Sequence, residues 1–298
     1  MADIRCGKDL PRNTCDSVVD QRSTPDALGV ILMYDLPQYI IANQRRIQNL
    51  PAQTLPPWSN CYDRYRSDWA VVQRLYTRFP HRLIQRQDIV SLFSGDDLSL
   101  ALVAALVWGG ISTAGITGDN LTKVLQMRES RLQKIMGNTR ILVRGDRLRE
   151  AFNGLETDNK INGVGPAYHT KVLFFFGQIE PRKPNRPLIF DKWTKNAFYA
   201  LLCQSGEERL ARAFYVIDQS TSDTVDTMDV RSSCLVDAYI SYVEHMNRWA
   251  AQIQLLPDKL EQFVFGEDRR SNRRSDNPRN EILAIVSQFR IGPLAGRS

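Results

Sequence analysis

The residues of this chain most able to do chemistry lie between positions 161 and 193. They read Ile161-Asn162-Gly163-Val164-Gly165-Pro166, then an apolar stretch through Phe176, a polar spacer, and Phe190-Asp191-Lys192-Trp193. A Gly-x-Gly turn between helices exposes main-chain N–H groups that can hold a phosphate without reading a base. Asp191 opens the next helical segment, where backbone N–H groups and the positive helix end favour its ionised form. Such a carboxylate can stabilise positive charge developing on a sugar carbon, or orient water against that carbon. The same position suits an aspartate that only caps a helix, so residue type alone leaves both roles open.

The flanking residues refine this picture. Ile161 and Val164 can point inward and lock the turn, while the glycines permit backbone angles and close approach that a side chain forbids. Pro166 fits the first position of the following helix, because its fixed φ suits that position and no intrahelical partner awaits its missing N–H. Gly163, Val164, Gly165, Ala167 and Lys192 are the candidate phosphate contacts. Lys171 lies one helical turn beyond Ala167 on the same face. It could be an amine nucleophile, a phosphate contact, or a solvated side chain in a cleft. A base inside a duplex must be rotated out before chemistry, at roughly a few kcal/mol, and aromatic walls lower that cost by stacking. Tyr168, His169 and Trp193 are the candidate walls. Tyr168 leads because it sits in the first turn after the glycines, whereas His169 also fits a packing role. Trp108, Trp249 and Phe174 to Phe176 are expected to serve the core for the most part.

These residues must be positioned by helices, since nearly every periodic segment has helical spacing. The spacing predicts helices at 68–78, 121–127, 130–136, 147–152, 192–203, 207–217 and 232–254, with a doubtful strand at 140–143. Another is expected at 98–108, started by Asp96 or Asp97 and ended by Gly109-Gly110. Residues 1–57 read as an N-terminal arm and helix, 58–266 as the core with its hairpin at 156–177, 267–280 as a basic loop, and 281–298 as a C-terminal helix. The loop carries Arg269, Arg270, Arg273, Arg274 and Arg279 and has no apolar face, so it reads as a mobile connector or a contact to phosphates.

Composition bounds the class. With 298 residues, 43% hydrophobic and 24% charged, the chain can bury an ample core. Its net charge of +6 and pI of about 9.1 permit polyanion binding without proving it. The five cysteines are scattered without the short spacing of zinc or iron–sulfur ligands, so reduced thiols are expected. Positions 1–10 lack the apolar core of a secretory signal, and 98–111 is too short to span a bilayer. A cytoplasmic, monomeric protein with no membrane partner is expected.

The string Gly163-Val164-Gly165 with Asp191 resembles the helix-hairpin-helix DNA glycosylases. The runs Gly165-Pro166-Ala167-Tyr168-His169-Thr170-Lys171 and Pro187-Leu188-Ile189-Phe190-Asp191-Lys192, and the segment Trp249 to Phe265, are similar to bacterial members with an 8-oxoguanine-glycosylase-like fold. The likeness covers about residues 60–266. It implies an all-α fold of two helical subdomains flanking a DNA-binding cleft, with Asp191 catalytic and double-stranded DNA containing a modified base as partner. It implies no cofactor, although a monovalent cation could sit on the hairpin carbonyls. Members that also cut the strand carry a lysine where Ala167 stands, which puts strand cleavage in doubt and makes Lys171 the displaced alternative. The implied activity is excision of a base by N-glycosidic hydrolysis. Oxidised guanine is one implied base. A hypermodified viral base such as glucosylated hydroxymethylcytosine is favoured slightly, by the displaced lysine, His169 and the long spacer. A glycosylase with lyase activity through Lys171, and a binding module without activity, are the competing readings.

Overall fold

A computed structural model describes residues 35–51, 53, 55–114, 118–180, 184–217, 228–266 and 277–288. The first 34 residues and the arginines at 269, 270, 273 and 274 lie outside that set. The described residues are helical, apart from one small antiparallel sheet. They form α1 (Gln38–Gln48), a 3-10 helix (Asn60–Tyr65), α2 (Ala70–Arg78), α3 (Arg86–Ser94), α4 (Leu98–Trp108), α5 (Asn120–Leu125), α6 (Glu129–Arg144), α7 (Leu148–Glu156) and α8 (Pro166–Ile179). After these come α9 (Lys192–Gln204), α10 (Glu208–Phe214), strands β1 (Tyr215–Ile217) and β2 (Met228–Val230), a 3-10 turn (Ser232–Cys234), α11 (Leu235–Gln252), α12 (Pro257–Phe265) and α13 (Pro278–Gln288).

Local signals account for the elements that carry the site. The Asp97 side chain accepts from the Leu100 N–H at 3.0 Å and starts α4, whose residues 98–107 are all buried. Gly109 ends it. Pro166 occupies the first turn of α8 and Asp191 caps α9. Expectation and structure part elsewhere. Residues 140–143 belong to α6 and not to a strand. Helix α10 stops at Phe214, and Tyr215 to Ile217 pair with Met228 to Val230, where a continuous helix to 217 is expected from the spacing. Arg279 is not part of a loop, because α13 begins at Pro278.

The helices pack as two groups. In one, α4 lies among α2, α3 and α6, while α8 contacts α3, α4, α6 and α7. In the other, α9 contacts α1, α10, α12 and α13, and α11 packs on α10 and α12. Contact of α7 with α11 joins the groups. The chain passes from the first to the second through the segment between α8 and α9, which ends on Asp191. Its backbone is tied down on the way, with Arg186 N–H donating to the Asn247 Oδ1 and Asn247 Nδ2 donating back to the Arg186 carbonyl, both at 2.9 Å. Gly177 lets Pro187 pass close, for an added Cβ would lie 2.5 Å from the proline ring. Arg186 is buried, so this member of the spacer does not offer its side chain to solvent. Arg182 and Lys183 lie outside the described residues.

Candidate active site

The turn between α7 and α8 is built as its residues require. Ile161 and Val164 are buried, and the Val164 N–H donates to the Ile161 carbonyl at 3.1 Å. Gly163 has φ +83°. A Cβ there would stand 2.4 Å from the Asn120 carbonyl oxygen and 3.0 Å from the Lys123 Cβ, so only glycine admits α5 this close. Gly165 faces open space and has an ordinary extended φ of −107°. The main-chain N–H groups of Gly163, Gly165 and Ala167 have no hydrogen-bond partner among the described residues. Such groups at the head of a fourteen-residue helix are arranged to receive an anion. Lys123, exposed and beside Gly163, adds a cation that the sequence did not single out. Its nearness depends on a contact between segments far apart in the chain.

Asp191 is half-buried at the head of α9. Its Oδ1 accepts from the Trp193 N–H at 3.0 Å and the Thr194 N–H at 3.2 Å, and the Thr194 hydroxyl receives the Asp191 N–H at 2.8 Å. Its Oδ2 has no hydrogen-bond partner among the described residues. One oxygen therefore fixes the carboxylate while the other stays available. Thr170 connects this carboxylate to the hairpin, because its hydroxyl accepts the Phe190 N–H at 3.0 Å and donates to the Ala167 carbonyl at 3.0 Å. The residue before Asp191 is thus bonded to the first turns of α8.

The other candidates are distributed around this junction. The Lys171 side chain is 8% exposed, with Nζ 3.4 Å from the Ala167 carbonyl and 4.9 Å from the Tyr168 ring centre. Gly109 makes room for both, since a Cβ there would meet Lys171 and Tyr168 atoms at 3.0 Å. Trp193 is half-buried, with the Arg279 guanidinium 4.5 Å from its ring centre and the Lys192 Nζ 5.7 Å away. Arg279 is itself buried between Trp193 and Phe265, 4.4 Å from the latter. His169 turns away from any open wall. It is 1% exposed and its Nδ1 lies 2.7 Å from the Glu156 Oε1, tying α8 to the last turn of α7. That bond to His169 holds the Glu156 carboxyl below its usual range. The aromatic run Phe174, Phe175 and Phe176 is core, as is Trp249.

An ion pair absent from the sequence-based candidates joins the two helix groups. Glu261 of α12 lies 3.3 and 3.4 Å from the guanidinium of Arg86 in α3, which sits over Phe174 and Trp108. Both ends of the pair come from different helix groups, and nothing in local spacing marks either. Cys61 and Cys203 are free, and Cys6 and Cys15 lie outside the described residues. Among the described residues no group of three or more His, Cys, Asp or Glu is placed to hold a metal ion, and no helix is long and apolar enough to cross a membrane.

The hairpin thus offers main-chain amides without partners among the described residues, joined through Thr170 to the segment that ends on a carboxylate with one oxygen unengaged. Residues 50–265 match the family described as "Putative 8-oxoguanine DNA glycosylase OGG-like protein". The chain belongs to this OGG-like family. No curated protein and no solved structure matches it.

Proposed function

We propose that this protein is a DNA N-glycosylase that turns a modified base out of double-stranded DNA and hydrolyses its N-glycosidic bond, with Asp191 as the catalytic carboxylate. The observation that carries the reading is the division of labour within Asp191, whose Oδ1 is locked by two main-chain N–H groups while Oδ2 is left for substrate. As the bond from the base nitrogen to C1′ breaks, the electron pair leaves with the base and positive charge gathers on the sugar. Oδ2 stabilises that charge and orients the water that attacks C1′. The water oxygen bonds to C1′, its proton passes to solvent or the departing base, and an abasic site remains. The hairpin N–H groups of Gly163, Gly165 and Ala167, with Lys192, hold the flanking phosphates, as in a helix-hairpin-helix motif. The unit that does this spans about 58–266, with the two helix groups as the walls of the DNA-binding cleft. The protein acts as a monomer in the cytoplasm and needs no cofactor, since hydrolysis consumes only water.

The substrate is a modified base. An oxidised guanine is the base named in the family description. A bulky glucosylated hydroxymethylcytosine, which would make the protein an antiviral enzyme, is supported by the alanine at 167 and the long spacer before Asp191. Tyr168 is the stacking wall nearest the hairpin. Lys171 is a less fitting nucleophile, because its side chain is buried with the amine turned onto the Ala167 carbonyl and the Tyr168 ring. Duplexes carrying ordinary, oxidised or glucosylated bases, incubated with the protein and then treated with alkali, test the reading. Abasic sites on a modified duplex, absent with Asp191→Asn, support it. Tight binding with no abasic site on any duplex would leave a binding module without catalysis.

A further inference from the structure

Arg279 belongs to α13, which together with α1 lies beyond the residues 50–265 that match the family. A buried arginine is costly unless its surroundings are arranged for it, and here they are. Its Nε donates to the Phe265 carbonyl, and its main-chain N–H donates to the Asn277 Oδ1 at 3.1 Å. Gly266, at φ +87°, leaves the room: a Cβ there would stand 2.6 Å from the Arg279 Cγ and 2.8 Å from the Asn277 Oδ1. Glu281, on the same helix turn, ties α13 to α1 through the Tyr39 hydroxyl at 2.5 Å and Arg46 at 3.0 Å. Arg279, 5% exposed, thereby sets its guanidinium between the Phe265 ring at 4.4 Å and the Trp193 ring at 4.5 Å. Trp193 stands in the first turn of α9, and its main-chain N–H donates to the Asp191 Oδ1 at 3.0 Å.

Resting on the glycosylase reading above, we propose that Arg279 is a positioning residue for base excision: its guanidinium clamps the Trp193 ring, and the clamped residue holds the Asp191 carboxylate in its working orientation. Helix ends fray, and a loose first turn would let Oδ1 lose its N–H donors and Oδ2 its direction. A planar guanidinium stacked on an indole opposes that loosening, because it attracts the ring and fits its face. Every link is a contact: Phe265 to Arg279, Arg279 to Trp193, and Trp193 to Asp191. Lys192 also approaches the indole, with Nζ 5.7 Å from the ring centre, but its side chain is exposed. Being buried, Arg279 is not placed to meet a phosphate, so the clamp should govern rate and not affinity. The carboxylate then depends on a helix that the family match does not reach.

Protection of single amides from hydrogen exchange reads the clamp without any substrate. In Arg279→Met, which keeps an unbranched stem, the Trp193 and Thr194 N–H groups should exchange about tenfold faster, the order of one lost cation–aromatic contact. Leu201 and Leu202, deep in α9, should keep their rates. Trp193→Ala removes the other jaw from a half-buried position and should release the Thr194 N–H to the same extent, so the test survives if Arg279→Met does not fold. Unchanged exchange at these amides overturns the proposal. Acceleration spread evenly through α9 overturns it too, for Arg279 would then be a stabilising residue only. In single-turnover assays at saturating enzyme, Arg279→Met should release base about tenfold more slowly, with DNA affinity and its salt dependence as in wild type. The double variant should be no slower than Trp193→Ala, because Arg279 acts through that ring, and additive losses would refute this. Faster exchange in a protein that releases no base from any duplex would overturn the glycosylase reading, and with it excision as the purpose of the clamp, while the clamp itself stood.

Discussion

The observed capping role of Asp191 and its proposed catalytic role can be separated by one substitution. Asparagine caps about as well as aspartate, because its carbonyl oxygen can accept the Trp193 and Thr194 N–H groups that Asp191 Oδ1 accepts now. It lacks only the charge. Asp191→Asn should therefore unfold near the wild-type temperature and bind DNA as well as wild type, yet release base about 10²–10³-fold more slowly, the usual cost of losing a preorganised electrostatic group. Comparable losses of melting temperature and activity would identify Asp191 as a cap only. Lys171→Ala makes a complementary case. If hydrolysis is the chemistry, the variant should release base and yield abasic sites, and borohydride should trap no covalent DNA adduct with either protein. A trapped adduct in wild type that vanishes in Lys171→Ala would make Lys171 the nucleophile. The legible residues share a property. Asp191, Pro166, Ile161 and Val164 take their roles from immediate neighbours, and the sequence displays those neighbours. His169 finds Glu156 across a helix pair, Arg279 finds Trp193 from far along the chain, and Arg86 finds Glu261 between helix groups. Partners of that kind leave no mark in spacing.

At the scale of elements, the hairpin glycines divide in a way that their shared motif conceals. Gly163 combines positive φ with the Asn120 carbonyl 2.4 Å from where a Cβ would lie, while Gly165 has neither constraint. Gly163→Ala should destabilise the turn by on the order of 1–3 kcal/mol through its backbone conformation, and steric displacement of α5 should add to that. Gly165→Ala should change stability by less than about 0.5 kcal/mol. Thermal melts of both variants check this, and equal losses would mean that the turn is not shaped by α5. A second element-level expectation concerns α12. Glu261 has a folded value near 7 against an ordinary 4.5. Raised in this sense, it contributes stability that is complete below 4.5 and disappears as pH rises through 7. Glu261→Gln should flatten that part of the stability–pH profile, and urea midpoints from pH 4 to 8 would show whether it does. Long elements with caps at both ends, such as α4 and α9, were readable from the chain. The strands on either side of positions 218–227 were not, because Ala213-Phe214-Tyr215-Val216 continues a helical apolar rhythm and only pairing with Met228 to Val230 makes residues 215–217 extended.

For the whole molecule, the decisive feature is that the connection from α8 to α9 carries the chain from the first packed helix group into the second and ends on Asp191. Thr170 bonds that connection to the hairpin helix, and Asp191 starts the first helix of the second group. On the proposed function, a carboxylate placed there would meet a nucleotide only if the hairpin held the flanking backbone. Affinity should then be governed by phosphates. The logarithm of the association constant should fall with the logarithm of salt concentration by about 0.9 for each phosphate neutralised. Lys123 supplies the sharper test. It is exposed beside Gly163, although Asn120 engages its Nζ at 3.0 Å in the free protein. If it turns to the phosphate held by the hairpin amides, Lys123→Ala should lower the salt slope by about 0.9 and weaken binding to all sequences alike. Its effect on excision at saturating enzyme should be small, because it touches backbone and not the reacting sugar. The fold should be unaffected, since the ammonium is solvent-exposed. A salt slope equal to that of wild type would place the phosphate away from the turn, and the hairpin would then have to be read as a structural corner.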